Sequence, residues 1–571
     1  MERLSADLGI FPLTARVLAS RGMIEPEAAR RFLKPALKDL HDPYALTGMH
    51  AAVKRLKQAV EAREPVLIYG DYDVDGTTSI VILKKAIELA GGIATYHVPH
   101  RLKEGYGMRA EVIERAAAEG VKLIISVDTG IRAADVVRAT GGLGIDVIVT
   151  DHHLPDQDLP PALAVLNPNR RDCNYPEKNL CGAGVTFKLV QALLGTLGWP
   201  QARLDSMLLS FLKLVAIATV ADVVPLLGEN RVIVKHGLDG LHQVNNPGLR
   251  ALMEVSGLLD GSAPTAHEVA FQIAPRINAA GRMAHAEDVI QLFLTKDPAE
   301  AHKLATQLHE LNQERRDTEA GIVKTILAEC LQTPVTPEQC ALVFSRAGWH
   351  RGVVGIVASR LVERFCRPVF VLCEEAGFAQ GSGRSIPAFH LLEALESMPG
   401  LFSKFGGHKQ AAGLTMPHEH VADFRQRLNA YAAAHLSPND FRPTLAIDAV
   451  AKFSDLHDDS VAQLLSLAPF GCGNPPPIVM TRGAQFAAPP TLLKEKHLRV
   501  KLREGGRDMP ATAWNFAERL DEFACGPAVD VAFSLEEDNY GRDRGWSPWR
   551  AVLKDVRPCD AVLALTASAV S

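Results

Sequence analysis

Paired cysteines are missing: the nine in the chain are odd in number, scattered, and include no Cys-x-x-Cys pair. That excludes an obvious disulfide or zinc framework and fits reduced thiols in a cytoplasmic protein. A membrane span is missing too. The best apolar stretch, residues 208–224, is interrupted by Lys213 and Asp222, whereas a span needs about 20 mostly apolar residues. The first residues, Met1-Glu-Arg-Leu-Ser-Ala-Asp, lack the basic start and apolar stretch of a signal peptide. Bulk positive charge is absent, the formal net charge being -5, so any nucleic acid must be met by local patches. No internal repeat, heptad run or long low-complexity segment is present. At 571 residues the chain is too long for one core, and two to four domains are expected.

What is present centres on residues 66–79. The run Val66-Leu-Ile reads as a buried strand, and it breaks into Asp71, Asp73 and Asp75 on alternate positions. Gly76 and Thr77 come next, then Ile80, Leu83, Ile87 and Ala90 at helical spacing with Gly91-Gly92 as the stop. Carboxylates at a strand's carboxyl end point into the crevice where open α/β sheets hold ligands. A single Asp there would be a helix cap. Three together repel one another, and hard divalent cations relieve that. Two further apolar strands end the same way, at Asp128-Thr-Gly and at Asp151-His152-His153. A helical stretch over residues 208–221 delivers Asp222 before Val-Val-Pro. Carboxylate with imidazole suits Mn²⁺ well, and Mg²⁺ or Zn²⁺ less clearly. With at least four Asp available, one can bridge two ions, which together generate a hydroxide and stabilise charge at a phosphoryl centre.

Along the chain, residues 1–60 read as short amphipathic helices packing on the domain that comes directly after them. Residues 61–155 alternate strand and helix, which implies a parallel sheet. Residues 297–331 read as one long helix, polar on nearly all sides in its middle, as in a helix that bridges domains through solvent. Strands and helices resume over 341–436. Beyond Pro443 short strands are expected at 444–450, 478–486, 497–502, 529–533 and 549–556, which suits a small OB-like barrel.

The motifs Gly70-Asp-Tyr-Asp-Val-Asp-Gly, Val127-Asp-Thr-Gly, Asp151-His-His and Thr219-Val-Ala-Asp-Val-Val-Pro resemble those of RecJ-type single-strand-specific 5′→3′ DNA exonucleases of the DHH phosphoesterase superfamily. Leu180-Cys-Gly-Ala-Gly-Val and Pro275-Arg-Ile-Asn-Ala-Ala-Gly-Arg-Met match as well. Gly381-Ser-Gly-Arg-Ser and Gly406-Gly-His-Lys-Gln-Ala-Ala-Gly are similar to the family's DHHA1 domain. The resemblance covers nearly the whole chain. It implies a multidomain α/β fold: a helical extension (1–60), a DHH parallel-sheet domain (61–296), a linking helix (297–332), a DHHA1 α/β domain (333–440), an OB-like barrel (441–560) and a tail (561–571).

By that resemblance Asp73, Asp75, Asp128, His152 and Asp222 would ligate two divalent ions, Mn²⁺ or Mg²⁺, with Asp128 bridging. Asp71 and Asp151 would support them, and His153 would face the scissile phosphate. Tyr69 is a departure, because related DHH pyrophosphatases carry a metal-binding His there; a first site without it would be weaker or completed by water. Arg101, Ser382 and Arg384 are candidates for a 5′-terminal phosphate, with Arg276, Arg282 and His408 along the track behind it. Residues 345–410 support this, with eight Lys/Arg against five Asp/Glu. Of the barrel aromatics Trp514, Phe516, Tyr540, Trp546 and Trp549, one or two are expected to stack on bases.

The implied activity is release of mononucleotides from single-stranded DNA in repair and recombination, by a monomer with a single-strand-binding protein and a helicase as partners. A DHH phosphodiesterase for short oligoribonucleotides or cyclic dinucleotides would usually stop after the DHHA1 domain. A catalytically dead DNA-binding scaffold would be expected to lose metal-site acids. A small-molecule pyrophosphatase would need neither the barrel nor so large a cleft.

Overall fold

The computed structural model describes residues 2–101, 104–105, 107–259, 261–523, 527–542, 544 and 547–559. Trp546, the expected tail 561–571 and the side chain of Tyr540 lie outside the described residues.

The first sheet has five parallel strands in the order β2-β1-β3-β4-β5: β1 Pro65–Tyr69, β2 Ile93–His97, β3 Leu123–Val127, β4 Asp146–Thr150 and β5 Ala164–Leu166. Alternation along β1 sends Val66 and Ile68 into one core and Leu67 and Tyr69 into another. Both faces are therefore covered, as a parallel sheet requires. The larger core is filled by the helices Val74–Leu89, Gly182–Gly195 and Gln201–Ala221. Among the described residues, Gln201–Ala221 alone is long and apolar enough to cross a membrane. Here it is a core helix, with Leu212, Val215, Ala216 and Ile217 buried and Asp222 at its C-cap.

The helix Pro298–Gln332, N-capped by Asp297, spans to the second sheet. Its first half buries Ala301, Leu304, Ala305 and Leu308 in the DHH-side core, and Ile322 and Ile326 enter the core of the next unit. In the middle Gln313, Glu314, Arg316 and Asp317 are exposed, as the polar sequence suggests, but one face is covered. Asn312 and Glu319 are buried; Arg315 Nη1 sits 2.9 Å from Glu319, and Arg360 of the helix Val354–Phe365 pairs with the same carboxylate. The second unit folds back onto the helix, so charges that look solvated are matched across an interface.

That unit carries a mixed sheet in the order β6-β7-β8-β10-β9, comprising β6 Leu342–Ala347, β7 Val369–Glu375, β8 Phe378–Arg384, β9 Lys404–Gly407 and β10 Ala411–Pro417. The third sheet joins β11 Ala449–Val450, β12 Ile478–Leu493, β13 His497–Glu504, β14 Arg507–Ala513, β15 Val529–Glu537 and β16 Trp549–Pro558. The last five close into a barrel through β12–β15 pairing. The strand expected at 444–450 shrinks to Ala449–Val450, because the Asp448 carboxylate accepts the Ile478 N–H and binds Arg21 before ladder pairing begins.

Of residues 1–60, the helix Met49–Glu61 packs on the domain that follows, burying Met49, Ala52, Leu56 and Ala59 in its core, but the three helices before it find their core elsewhere. Leu4, Leu13, Val17, Leu18 and Phe32 share one core with the barrel, including Val461, Val479 and Phe533. Each such side chain contributes about 1.5–3 kcal/mol when buried. Arg231 joins the two, donating to the Phe32 and Ala468 carbonyls. The turn at 471–474 docks beside Asp222's loop, where Leu226 N donates to Cys472 O at 2.8 Å.

Candidate metal centre and cleft

Every acid and imidazole expected at the metal centre arrives at the carboxyl edge of the first sheet. Asp73 caps the helix Val74–Leu89, its Oδ1 accepting the Gly76 N–H at 3.0 Å. Asp75 accepts the N–H groups of Gly182 (2.6 Å) and Ala183 (2.7 Å), at the N-terminus of the helix Gly182–Gly195. Those donors and the helix dipole favour its charged form, but burial prevails and its pKa is raised. Asp128 leaves β3 in left-handed backbone at φ +57, a conformation Asp tolerates better than most residues. A Cβ on Gly182 would fall 2.6 Å from the Asp128 Cβ, so only glycine lets that carboxylate lie on the helix end.

His152 is the hub. Its Nε2 lies 3.3 Å from Asp128 Oδ1 and 3.8 Å from Asp75 Oδ2, and its Nδ1 lies 3.8 Å from Asp222 Oδ2. Three sets have ligand atoms within 4.8 Å of one another: Asp71, Asp73 and Asp128; Asp75, His152 and Asp222; and Asp128, His152 and His153. Asp151 organises the imidazoles from beneath. Its Oδ1 accepts from the backbone N–H of His152 and His153 and meets His153 Nδ1 at 2.7 Å, while Oδ2 accepts the Ile131 N–H. Burial works against charge on both partners, yet this pairing holds Asp151 below the usual carboxylate range and His153 above the usual imidazole range.

At the remaining acids, burial and mutual repulsion win. Burial and then Asp73 push Asp71 well up, burial and then Asp75 do the same to Asp128, and burial and then Asp75 raise Asp222 to about 9. Asp71 Oδ1 and Asp222 Oδ2 are buried without a hydrogen-bond partner. Oxygen-rich, imidazole-containing and crowded with like charge, this donor set fits hard divalent cations. Tyr69 takes no part: it is fully buried and its hydroxyl donates to the Gly107 carbonyl.

An arginine cluster adjoins the acids. The Arg101 guanidinium lies 4.9 Å over the Tyr72 ring and acts on Asp71. Arg282 donates to the Gly352 carbonyl, and burial followed by Arg101, Arg315 and Arg384 lowers it to about 10. Arg384, on β8 with Ser382, is lowered by burial and by Arg101. A Cβ on Gly355 would touch Arg384, Ser382 Cβ and Ser382 Oγ at 3.3–3.5 Å, so the helix Val354–Phe365 backs this pair closely. Among the described residues no carboxylate lies within ion-pair distance of Arg101, Arg282 or Arg384. His408 feels both Arg132 and His153 across the cleft, after burial. Arg276 is engaged elsewhere, with the Gln272 and Val255 carbonyls and the His309 ring.

Sequence reasoning misses two participants: the paired N–H groups of Gly182 and Ala183, and Arg315. The N–H pair lies within the Leu180-Cys-Gly-Ala-Gly-Val motif, which does not reveal what the backbone faces. Arg315 has the sequence context of a solvated helix face.

Residues 65–219 match the DHH family N-terminal domain, 338–434 the DHHA1 domain and 447–546 the RecJ OB domain. The chain is 39% identical to the single-stranded-DNA-specific exonuclease RecJ of Bacillus subtilis, over 94% of this chain and 68% of that one. It is 37% identical to RecJ of Dickeya dadantii, over 92% and 93%. This chain belongs to the RecJ family. The crystal structure of RecJ from Thermus thermophilus with Mn²⁺ superposes at a TM-score of 0.81 and 33% identity, covering 97% of this chain and 77% of that one; the Mg²⁺ complex gives 0.75. Metal-dependent nuclease chemistry with Mn²⁺ or Mg²⁺ thus goes with the fold and with this donor set.

Within the RecJ-type barrel the aromatics divide. Trp549 Nε1 donates to Asp458 and its ring packs on the core, and Phe516 packs on Phe523 under Arg519. Trp514 is exposed, edge-on to His497 at 4.8 Å.

Proposed function

We infer that this RecJ-family exonuclease degrades single-stranded DNA from its 5′ end, one mononucleotide at a time. The observation that carries the reading is the adjacency of two clusters of opposite demand: buried acids that call for cations, and arginines with no carboxylate partner among the described residues that call for a phosphate. A terminal-phosphate site beside a hydrolytic centre sets the cut close to the end.

Asp73, Asp75, Asp128, His152 and Asp222 would hold two ions, with Asp128 shared, and Asp71 and Asp151 would support them. When bound, Mn²⁺ or Mg²⁺ supplies a hydroxide nucleophile and neutralises charge at the phosphoryl group. Asp151 fixes the tautomer and direction of His153, which would donate to a non-bridging oxygen of the scissile phosphate. Arg101, Ser382 and Arg384 would clamp the terminal phosphate, with Arg282 and His408 along the strand. Domain limits near 61–296, 297–332, 333–440 and 441–560 agree with this division of labour. The barrel would grip the strand ahead of the cleft, on a monomer supplied by a helicase and a single-strand-binding protein.

The test is end-labelled single- and double-stranded DNA with Mn²⁺ or Mg²⁺. Mononucleotide release from the 5′ label on single strands alone is the expected result. Release from the 3′ end, or equal attack on duplex, would overturn it.

A further inference from the structure

Arg101 feels the like charges of Arg282 and Arg384, which push a long side chain away from the place a phosphate would use. Next to it stand three titratable side chains that the metal chemistry leaves unused: Tyr69, His97 and Glu104. Arg101 lies on the connection from β2 to the helix Ala110–Ala118. There the Glu104 N–H donates to the His100 carbonyl at 2.8 Å, and Glu104 Oε1 accepts the His100 N–H at 3.0 Å. The turn that contains Arg101 is thereby closed twice. The other carboxylate oxygen, Oε2, lies 3.3 Å from His97 Nε2 at the end of β2, and Arg109 donates to the Glu104 carbonyl. Tyr69, at the end of β1, is fully buried, with its ring centre 5.0 Å from that of His97. Its hydroxyl reaches the Gly107 carbonyl at 3.2 Å. Burial, and then Glu104, raise that hydroxyl to about 12, so it stays protonated and donating.

We propose that Glu104, braced by His97, and Tyr69 are positioning residues for recognition of the strand's terminal phosphate, acting through Arg101. The inference rests on the terminal-phosphate reading given above. A guanidinium clamps best when it is in place before the phosphate arrives, since ordering it afterwards subtracts from affinity. Here the ordering is done in advance. Glu104 closes the turn, the His100 ring meets the His285 ring edge-on at 4.7 Å, and Tyr69 ties the far limb of the connection to the sheet. The Arg101 guanidinium itself rests 4.9 Å over the Tyr72 ring. β1 ends in Tyr69 and supplies Asp71 two residues later. Arg101's half of the clamp and the metal centre therefore take their spacing from one strand, and that spacing governs how far from the end the cut falls.

The experiment is a double-mutant cycle on the full chain, with 5′-phosphorylated and 5′-hydroxyl single strands and Mn²⁺, read as KM and kcat for each. Arg101→Ala, Glu104→Ala, Glu104→Gln and Tyr69→Phe are compared alone, and the last three again in the Arg101→Ala background. Glu104→Ala and Tyr69→Phe should each raise KM about two- to tenfold on phosphorylated strands, the range for loss of one hydrogen bond. Values of kcat, and both constants on hydroxyl strands, should hardly move. Glu104→Gln can still accept the His100 N–H and should recover most of the loss. In the Arg101→Ala background none of the three should reduce phosphate preference further. Tyr69→Phe keeps the buried ring, and the Glu104 side chain is 34% exposed, which makes the variants safe for folding. Phosphate preference lost in Arg101→Ala but kept in Glu104→Ala and Tyr69→Phe overturns the positioning role and leaves the terminal-phosphate reading standing. Equal losses on both kinds of strand, or losses that add to that of Arg101→Ala, overturn it as well, because they mark a purely structural part. A native enzyme indifferent to the terminal phosphate, or an Arg101→Ala that keeps the preference, overturns the terminal-phosphate reading at Arg101 and the positioning role with it.

Discussion

The acid cluster and the arginine cluster are built on the same tension and differ in their construction. Asp71, Asp75 and Asp128 are held by strand ends and helix caps within one domain. Arg101, Arg282 and Arg384 come from three distant segments in two domains, meeting only when the linking helix brings the second sheet over the first. Like charges crowd in both, and both wait for a ligand of the opposite sign. The acids are rigid before the metal arrives; the arginines are only as well placed as the domain interface. The difference teaches that cation binding should survive changes at the interface, whereas recognition of the strand's end should not.

The sharpest way to break this contrast is Asp128→Asn, chosen over Ala because Asn accepts the left-handed backbone. Hydrolysis should fall on the order of 10³-fold or more, while strand affinity without metal stays within about twofold. Gel-based rates and fluorescence binding check it. Appreciable turnover at saturating Mn²⁺ would remove Asp128 from the centre.

Next in size is the response to metal. Asp71, Asp75, Asp128 and Asp222 all have folded pKa values raised by burial and mutual repulsion, Asp222 to about 9. In the metal-free protein their contribution to stability is complete below the ordinary carboxylate range and is lost as pH rises toward 9. A bound divalent ion removes that loss. At a fixed Mg²⁺ concentration the stabilisation, read as a rise in Tm, should therefore grow between pH 5 and pH 9, reaching about 2.7 kcal/mol where that concentration is a hundredfold above Kd. Calorimetry showing a constant or shrinking rise would contradict the mutual repulsion of the acids.

Arg384→Ala probes the other cluster. It should weaken action on 5′-phosphorylated strands about ten- to a hundredfold more than on 5′-hydroxyl strands, as loss of a charge-assisted contact does. Its Mg²⁺-induced Tm rise should be unchanged. Equal losses on both substrates would move Arg384 out of the end-phosphate site.

The smallest effect is expected at Trp514→Ala, where one exposed ring would cost long strands about 1 kcal/mol, or roughly fivefold in affinity. Strands too short to reach the barrel should be unaffected. Uniform weakening at every length would assign Trp514 a structural role.

Much of the acid cluster was legible because continuous apolar strands ending in acids make a local pattern: Asp71, Asp73 and Asp75 follow Val66-Leu-Ile, and Asp128 and Asp151 each follow an apolar run. What was not legible depends on contacts distant in sequence. That Gly182 must be glycine is clear only once Asp128 lies against it. Arg315 is a solvated charge until Glu319 and Arg360 surround it. Phe271 reads as one more apolar helical position, because the π turn that exposes it has no composition of its own. The strand β14 escaped notice because Pro510 interrupts it, pairing opposite Lys501 in the ladder.

The shared core of the opening helices and the barrel bears on how the protein is made. Leu13, Val17 and Phe32 leave the ribosome long before Val479 and Phe533, the residues that cover them. At roughly 5–20 residues per second the wait is on the order of 20–100 s. Through that interval a short apolar surface stands open on a nascent chain whose first sheet can already form. Early termination within the barrel would leave that surface open for good, and truncated chains would then present their first helices to any chaperone or protease that reads exposed apolar surface.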